Sequence, residues 1–415
     1  MRAGFHAETI QLLECLRQYG NASAMALYTL AACYEHLGDK EKAPSTRALA
    51  SKKRIVDVFP YRLEEVAVLE AALRANGADA TASYLLACEL YDKRHYERSA
   101  SLWQDAIRDA PDFYIPYRCL AVACYSHLGR QEEALPLLLK ANELHPHDEQ
   151  LLTETSYVMA HTGVPASERA EFLATHRPAV IHDHLALELE NAFNAAGEYD
   201  KAMELLTKHS FTPCEGGEFA VAEPYMFNRM TLGRLALAQG DAEKAMGYFE
   251  NILNVPENLH AGFWNDSVLV PFEYHYAEAL IKAGRKAAAE EKLQHIATLN
   301  NKGMWNMGGE FDFYSAMAAR LAGNEAQGRA IMRSAVLAWE TQLADDDPGA
   351  SGTTPFYLSF CEDSRTVKHA ALCFMLGYGK LFFGDSDGAR ELFTESLRLD
   401  PSNMKCALEL KLLKQ

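Results

Sequence analysis

Glu215 and Glu218 flank Gly216 and Gly217, an arrangement with two chemical uses. Glycines let successive backbone N–H groups turn inward, so the stretch could ring one small polar ligand with amides and carboxylates. Paired carboxylates are also what glycoside hydrolysis requires, about 5–5.5 Å apart for retention or about 6.5–9.5 Å apart for inversion. The competing reading is structural. Gly216-Gly217 then turns the chain, and Glu218 starts the next helix with its charge near the positive end of the helix dipole. No further acid or base in the sequence supports catalysis, so no catalytic residue is assigned and no enzyme is expected.

Three more stretches carry similar residue types. Pro256 to Trp264 brings Asn258 and Trp264, Lys302 to Glu310 brings Trp305 and Glu310, and Ala344 to Pro355 brings Asp345, Asp346 and Asp347. Aromatic faces beside carboxylates and amides suit a sugar, because rings stack on C–H faces while polar side chains take hydroxyls. Glu215, Gly216, Gly217, Glu218, Asn258, Trp264, Trp305 and Glu310 are therefore the candidate ligand-binding set. Phe313, Tyr314, Phe356 and Tyr357 at helical spacing read as core instead. The aspartates lack the spacing of a calcium cage. His145-Pro146-His147 and His182-Asp183-His184 have no third ligand at metal spacing, and Asp183 reads as a helix N-cap. Phosphate-loop, dinucleotide and nucleophile-elbow patterns are absent from the sequence, so neither metal nor cofactor is expected.

The elements that must position these residues announce themselves by period. Gly129, Gly163 and Gly197 recur every 34 residues, the length of one tetratricopeptide helix–turn–helix unit. Each falls where a first helix must stop, because a residue without Cβ readily enters the left-handed conformation that closes a helix. Leu376-Gly377, Gly384-Asp385, Ala389, Phe393, Ser396 and Pro401 show the frame most fully. The small residues let two helices approach, Phe393 fills the space between them, and Pro401 ends the second. Copies centre on Gly38, Trp103, Gly129, Gly197, Gly240, Gly284 and Gly323. The expected fold is all-α, a tetratricopeptide-like right-handed α-solenoid of about ten helix–turn–helix repeats. Regular repeats are expected over 1–210. Over 211–415 the same superhelix continues with longer insertions, since the steps between helix-stop glycines lengthen to 43, 44, 39 and 61 residues. Insertions in repeat proteins often decorate the binding face.

Composition narrows the partners. Lys and Arg total 40 against 57 Asp and Glu, a net charge of −17 with no basic stripe, which disfavours nucleic acid. No apolar run approaches the roughly 18 residues that span a bilayer, and Met1 to Gly20 has no secretory pattern. Nine dispersed cysteines without a CxxC pair suit reduced thiols in the cytoplasm. The first twenty residues form an amphipathic helix with Ile10, Leu12, Leu13, Leu16 and Tyr19, whose apolar edge is expected to meet another domain or a second copy.

Glu215-Gly216-Gly217-Glu218, followed by Pro256-Glu257-Asn258-Leu259 and Gly262, resembles the C-terminal tetratricopeptide region of certain bacterial proteins. Their N-terminal half is a galactose-mutarotase-like β-sandwich. The likeness takes in Val58 to Glu64, Val68 to Leu73, Ala82 to Ala87, Trp103, Arg118 to Ala121, Phe311 to Tyr314 and Phe356-Tyr357. Cys214 stands where that family carries an aromatic, and the β-sandwich half is absent, so the chain is a stand-alone relative or a piece of a longer product. The resemblance implies a setting in carbohydrate metabolism. The expected function is a non-catalytic scaffold that binds a protein partner or a second copy along its concave face. The alternative is a sugar-binding accessory module for an oligosaccharide.

Overall fold

The computed structural model describes residues 4–53, 58–213, 218–262, 266–299, 309–345, 347 and 360–414. These residues form 21 α-helices and, among the described residues, no strand. The chain is all-α, built from sequential helix pairs of the solenoid kind. Contacts group it into two compact units: Met1–Val158 with Ser359–Cys361, and Met159–Leu358 with Glu362–Gln415. That division follows compactness, whereas the one expected at 210/211 rests on repeat regularity in the sequence.

The first unit holds α1 (His6–Gln18), α2 (Ala24–His36), α3 (Lys42–Ala50), α4 (Leu63–Ala75), α5 (Ala80–Asp92), α6 (Tyr96–Asp109), α7 (Tyr114–Ser126) and α8 (Ala134–Leu144), together with most of α9 (Glu149–His161). In the second lie α10 (Ala166–His176), α11 (Asp183–Ala196), α12 (Tyr199–Lys208), α13 (Glu218–Ala238), α14 (Ala242–Ile252), α15 (Val270–Lys282) and α16 (Lys286–Thr298). It continues with α17 (Gly309–Leu321), α18 (Glu325–Ala344), α19 (Ser364–Phe382), α20 (Ser386–Leu399) and α21 (Met404–Leu412).

Local chemistry sets each turn. Gly240 has φ +83°, and its N–H and that of Asp241 donate to the carbonyls of Leu237 and Ala236, the pair of hydrogen bonds that closes a helix around a left-handed residue. Asp241 then accepts from the Lys244 N–H at 3.0 Å and caps α14. Gly384-Asp385 repeats the device between α19 and α20. All the helix-stop glycines named from the sequence have positive φ. Between α5 and α6 the turn has no glycine, and Arg94 takes the left-handed conformation with φ 63°. The sequence does not announce that position. Asp183 corrects one expectation: His182 is the N-cap of α11. The Asp183 carboxylate instead accepts from His209 Nε2 at 2.7 Å and the Thr212 N–H at 2.8 Å, tying the segment after α12 to the start of α11.

Helix pairs approach where one partner has no Cβ. A Cβ on Gly377 would lie 2.4 Å from the Phe393 ring, and one on Gly233 would lie 2.3 Å from the Phe249 ring. Both phenylalanines are fully buried, and each ring occupies the space that a Cβ would need. Leu12 of α1 and the flanking Phe5 and Tyr19 stay exposed. No described helix is long and apolar enough to cross a membrane.

A candidate ligand cavity in the first-helix layer

Within the second unit, α13, α15, α17 and α19 are the first helices of their pairs, and α14, α16, α18 and α20 the second. The first helices also touch one another in series, and α21 closes the layer against α13. Arg234 of α13 makes that closure with Glu409 of α21, through two N–H···O bonds of 2.5 and 2.9 Å. Tyr378 of α19 donates to the same carboxylate at 2.9 Å. Burial alone would raise the Glu409 value, but the guanidinium and the Tyr378 hydroxyl hold it below the ordinary carboxylate range. Burial likewise works against the Arg234 charge, and Glu409 outweighs it, so the guanidinium stays charged.

Beside this pair lies a cavity of about 100 Å³. Its walls are Met226, Phe227 and Met230 of α13, Val268 just before α15 and Pro271 in its first turn, Phe311 of α17 and Leu408 of α21. Thr231, Arg234, Tyr314 and Tyr378 supply polar lining. Thr231 is fully buried, and its Oγ1 has no hydrogen-bond partner. A helical threonine ordinarily spends this hydroxyl on the carbonyl one turn back, so here the hydroxyl is available to an occupant. Burial pushes the Tyr314 phenol above its ordinary value, and His275 Nε2 stands 3.3 Å from its oxygen. Burial, helped by Arg234, pushes the His275 imidazole below its ordinary value.

At the cavity edge Lys405 meets Glu310 at 2.7 Å and Glu223 at 3.0 Å. Burial would lower the ammonium, but these two carboxylates hold it above the ordinary lysine range. The cationic groups of the lining are therefore each matched by carboxylates. The site suits an apolar group whose tip makes one hydrogen bond, and among its described lining residues no nucleophile is set against a free base.

Of the residues expected from sequence to bind a ligand, Glu310 lines this cavity. Asn258 does not. Its amide donates to the carbonyls of Leu206 at 2.7 Å and His209 at 2.6 Å, and its own carbonyl accepts the Phe211 N–H. It thus fastens the segment that follows α12. Glu218 is the first residue of α13, with its side chain outside the described residues. Glu215, Gly216, Gly217, Trp264 and Trp305 also lie outside them, as do Phe356 and Tyr357. In sequence, those residues precede α13, α15, α17 and α19. Phe313 and Tyr314 are buried as expected, and Tyr314 also faces the cavity. Sequence reading misses Thr231, Arg234, Tyr378, Lys405 and Glu409. The available signal is a single charge inside an apolar run, as in Leu232-Gly233-Arg234-Leu235-Ala236 and Ala407-Leu408-Glu409-Leu410. No three His, Cys, Asp or Glu among the described residues group as metal ligands.

Residues 84–149 match the tetratricopeptide repeat family. Among solved structures, the C-terminal part of a tetratricopeptide repeat-containing protein from Cytophaga hutchinsonii is 14% identical. That alignment covers 60% of this chain and 90% of the other, with a TM-score of 0.38. The Naa15/Naa10 structure bound to HypK-THB is 12% identical over 92% of this chain and 64% of that one, with a TM-score of 0.40. The type IV pilus biogenesis factor PilW is 13% identical over 55% of this chain and 96% of its own, with a TM-score of 0.30.

Proposed function

We propose that this chain is a non-catalytic helical-repeat scaffold. Its first-helix layer holds a protein partner, and the partner seats an apolar side chain in the cavity beside Thr231. One observation carries the reading. The cavity is walled by successive first helices, its charges are matched, and the polar atom it leaves unspent is the buried Thr231 hydroxyl. Such a site rewards shape and one hydrogen bond, which is binding rather than turnover. The described cysteines are all free, which favours a reducing compartment such as the cytoplasm. A second copy of the chain is the other occupant we propose, through the exposed face of α1. A monomer by light scattering at high concentration removes that option.

The oligosaccharide alternative keeps one favouring observation, that Glu310 borders the cavity. Selection from a random peptide library, repeated with Met230→Glu, tests the protein-partner reading. Selected peptides should lose at least about tenfold in affinity to the variant, the effect of roughly 1.4 kcal/mol. Peptides that bind both proteins equally would reject the cavity as the site. Calorimetry with an oligosaccharide panel decides the alternative: heat that is lost in Trp305→Ala or Glu218→Gln would move the assignment to sugar.

A further inference from the structure

In the first unit, Phe360 and Cys361 belong to no helix, yet they are held by side chains from the ends of repeat helices. The Phe360 ring stacks on Tyr157 of α9, with centroids 4.9 Å apart and planes 7° apart. It meets Tyr125 of α7 edge-on, again at 4.9 Å, and only 9% of Phe360 remains exposed. One residue later, the Cys361 N–H donates to Ser126 Oγ at 3.0 Å. Tyr125 and Tyr157 also meet each other edge-on at 5.8 Å, so the two rings form a corner slot that the Phe360 ring fills. One anchored aromatic plus one main-chain bond is how a groove reads an extended peptide, with the ring giving affinity and the backbone bond giving register.

We propose that this slot is a peptide-binding site which the chain fills with its own Phe360–Cys361, and which a partner occupies by displacing them. The partner segment is extended and carries an aromatic side chain. The residue after that aromatic is not proline, because its N–H must reach Ser126. Displacement is feasible because the resident segment adds no helix or strand pairing of its own, so it opens without unfolding the repeats. Being covalently attached, it competes at an effective concentration of about millimolar, which hides the slot from weak peptides.

The test uses the full chain and a fluorescent peptide with the sequence of residues 358–364, Leu-Ser-Phe-Cys-Glu-Asp-Ser, kept reduced. Anisotropy should show saturable binding to Phe360→Ala at least tenfold tighter than to the wild type. Binding should vanish when the peptide phenylalanine becomes alanine, or when Tyr157→Ala is added to the protein. Absence of binding to Phe360→Ala, or equal binding to both proteins, overturns the proposal. Hydrogen exchange on the unmodified wild type gives a second arm. The Cys361 amide should exchange at least a hundredfold faster than the α7 amides around Ala121. Exchange of both only together would make the segment a fixed part of the fold and would also overturn the proposal.

Discussion

Replacing Glu409 with glutamine should be the most damaging conservative change in the second unit. The side chains of Arg234 and Glu409 are 14% and 5% exposed, and they join helices 175 residues apart in sequence. Glutamine keeps the shape but leaves a guanidinium in the interior without a counter-charge. Breaking a buried pair from one side costs about 3–5 kcal/mol. At about 1.4 kcal/mol per tenfold, exchange of the α21 amides through opening of this closure should accelerate roughly a hundred- to several-thousand-fold. Arg234→Met with Glu409→Met removes both charges and should recover most of the loss, since a pair replaced by packed apolar groups is often neutral or better. The pH dependence follows from sign. Burial raises the Glu409 value, but Arg234 and Tyr378 bring it below the ordinary 4.5. The stabilisation is therefore complete above 4.5 and is lost as pH falls through the lower folded value, so wild type and variant should converge in acid. Hydrogen exchange by mass spectrometry over residues 404–412 reads both effects. A change below fivefold at pH 7, or no rescue in the double variant, would refute the role given to this pair.

Other outcomes follow from the same packing. Gly377→Ala places a Cβ 2.4 Å from the Phe393 ring. Overpacking costs about 1–3 kcal/mol, against about 1 kcal/mol gained in helix propensity. Net destabilisation on thermal melting is expected, and Phe393→Leu in the same chain should relieve it. Glu190 is buried, accepts from the Asn194 amide and has one oxygen unpartnered. Burial outweighs that bond and raises its value well above the ordinary one, so its contribution is full in acid and lost as pH rises. Glu190→Gln should then stabilise the protein at pH 8 by about 1–2 kcal/mol, with the gain fading towards pH 4 in parallel melts. Thr231→Val removes the unpartnered hydroxyl at nearly constant shape. Melting should shift little or rise, while affinity for a cavity-directed peptide falls about fivefold, one hydrogen bond being worth about 1 kcal/mol.

What the sequence makes legible is what local physics decides. Gly240-Asp241 and Gly384-Asp385 each encode a helix stop and the next helix start within two residues. Pro401 lies just beyond the end of α20, and Gly377 marks where Phe393 must pack. The turn at Arg94 escapes notice because a non-glycine residue takes the left-handed conformation there. The cavity is less legible. Arg234 and Glu409 gain their meaning only when two distant helices meet, and nothing in either local stretch names the other. Asn258 shows the opposite error: an amide that looks free for a ligand in sequence is spent on the carbonyls of Leu206 and His209. Glu310 lines the cavity and lies at the start of α17, just after an insertion in the sequence.

The central claim is that partners are read by the first-helix layer of the second unit. The direct measurement is a methyl NMR titration of protein labelled at its 13 methionines with a library-selected peptide. Met226 and Met230 line the cavity, whereas Met25 and Met332 are buried elsewhere. The account predicts that the Met226 and Met230 methyl signals move and saturate while those of Met25 and Met332 stay fixed. Saturable peptide binding that leaves Met226 and Met230 unmoved would contradict it.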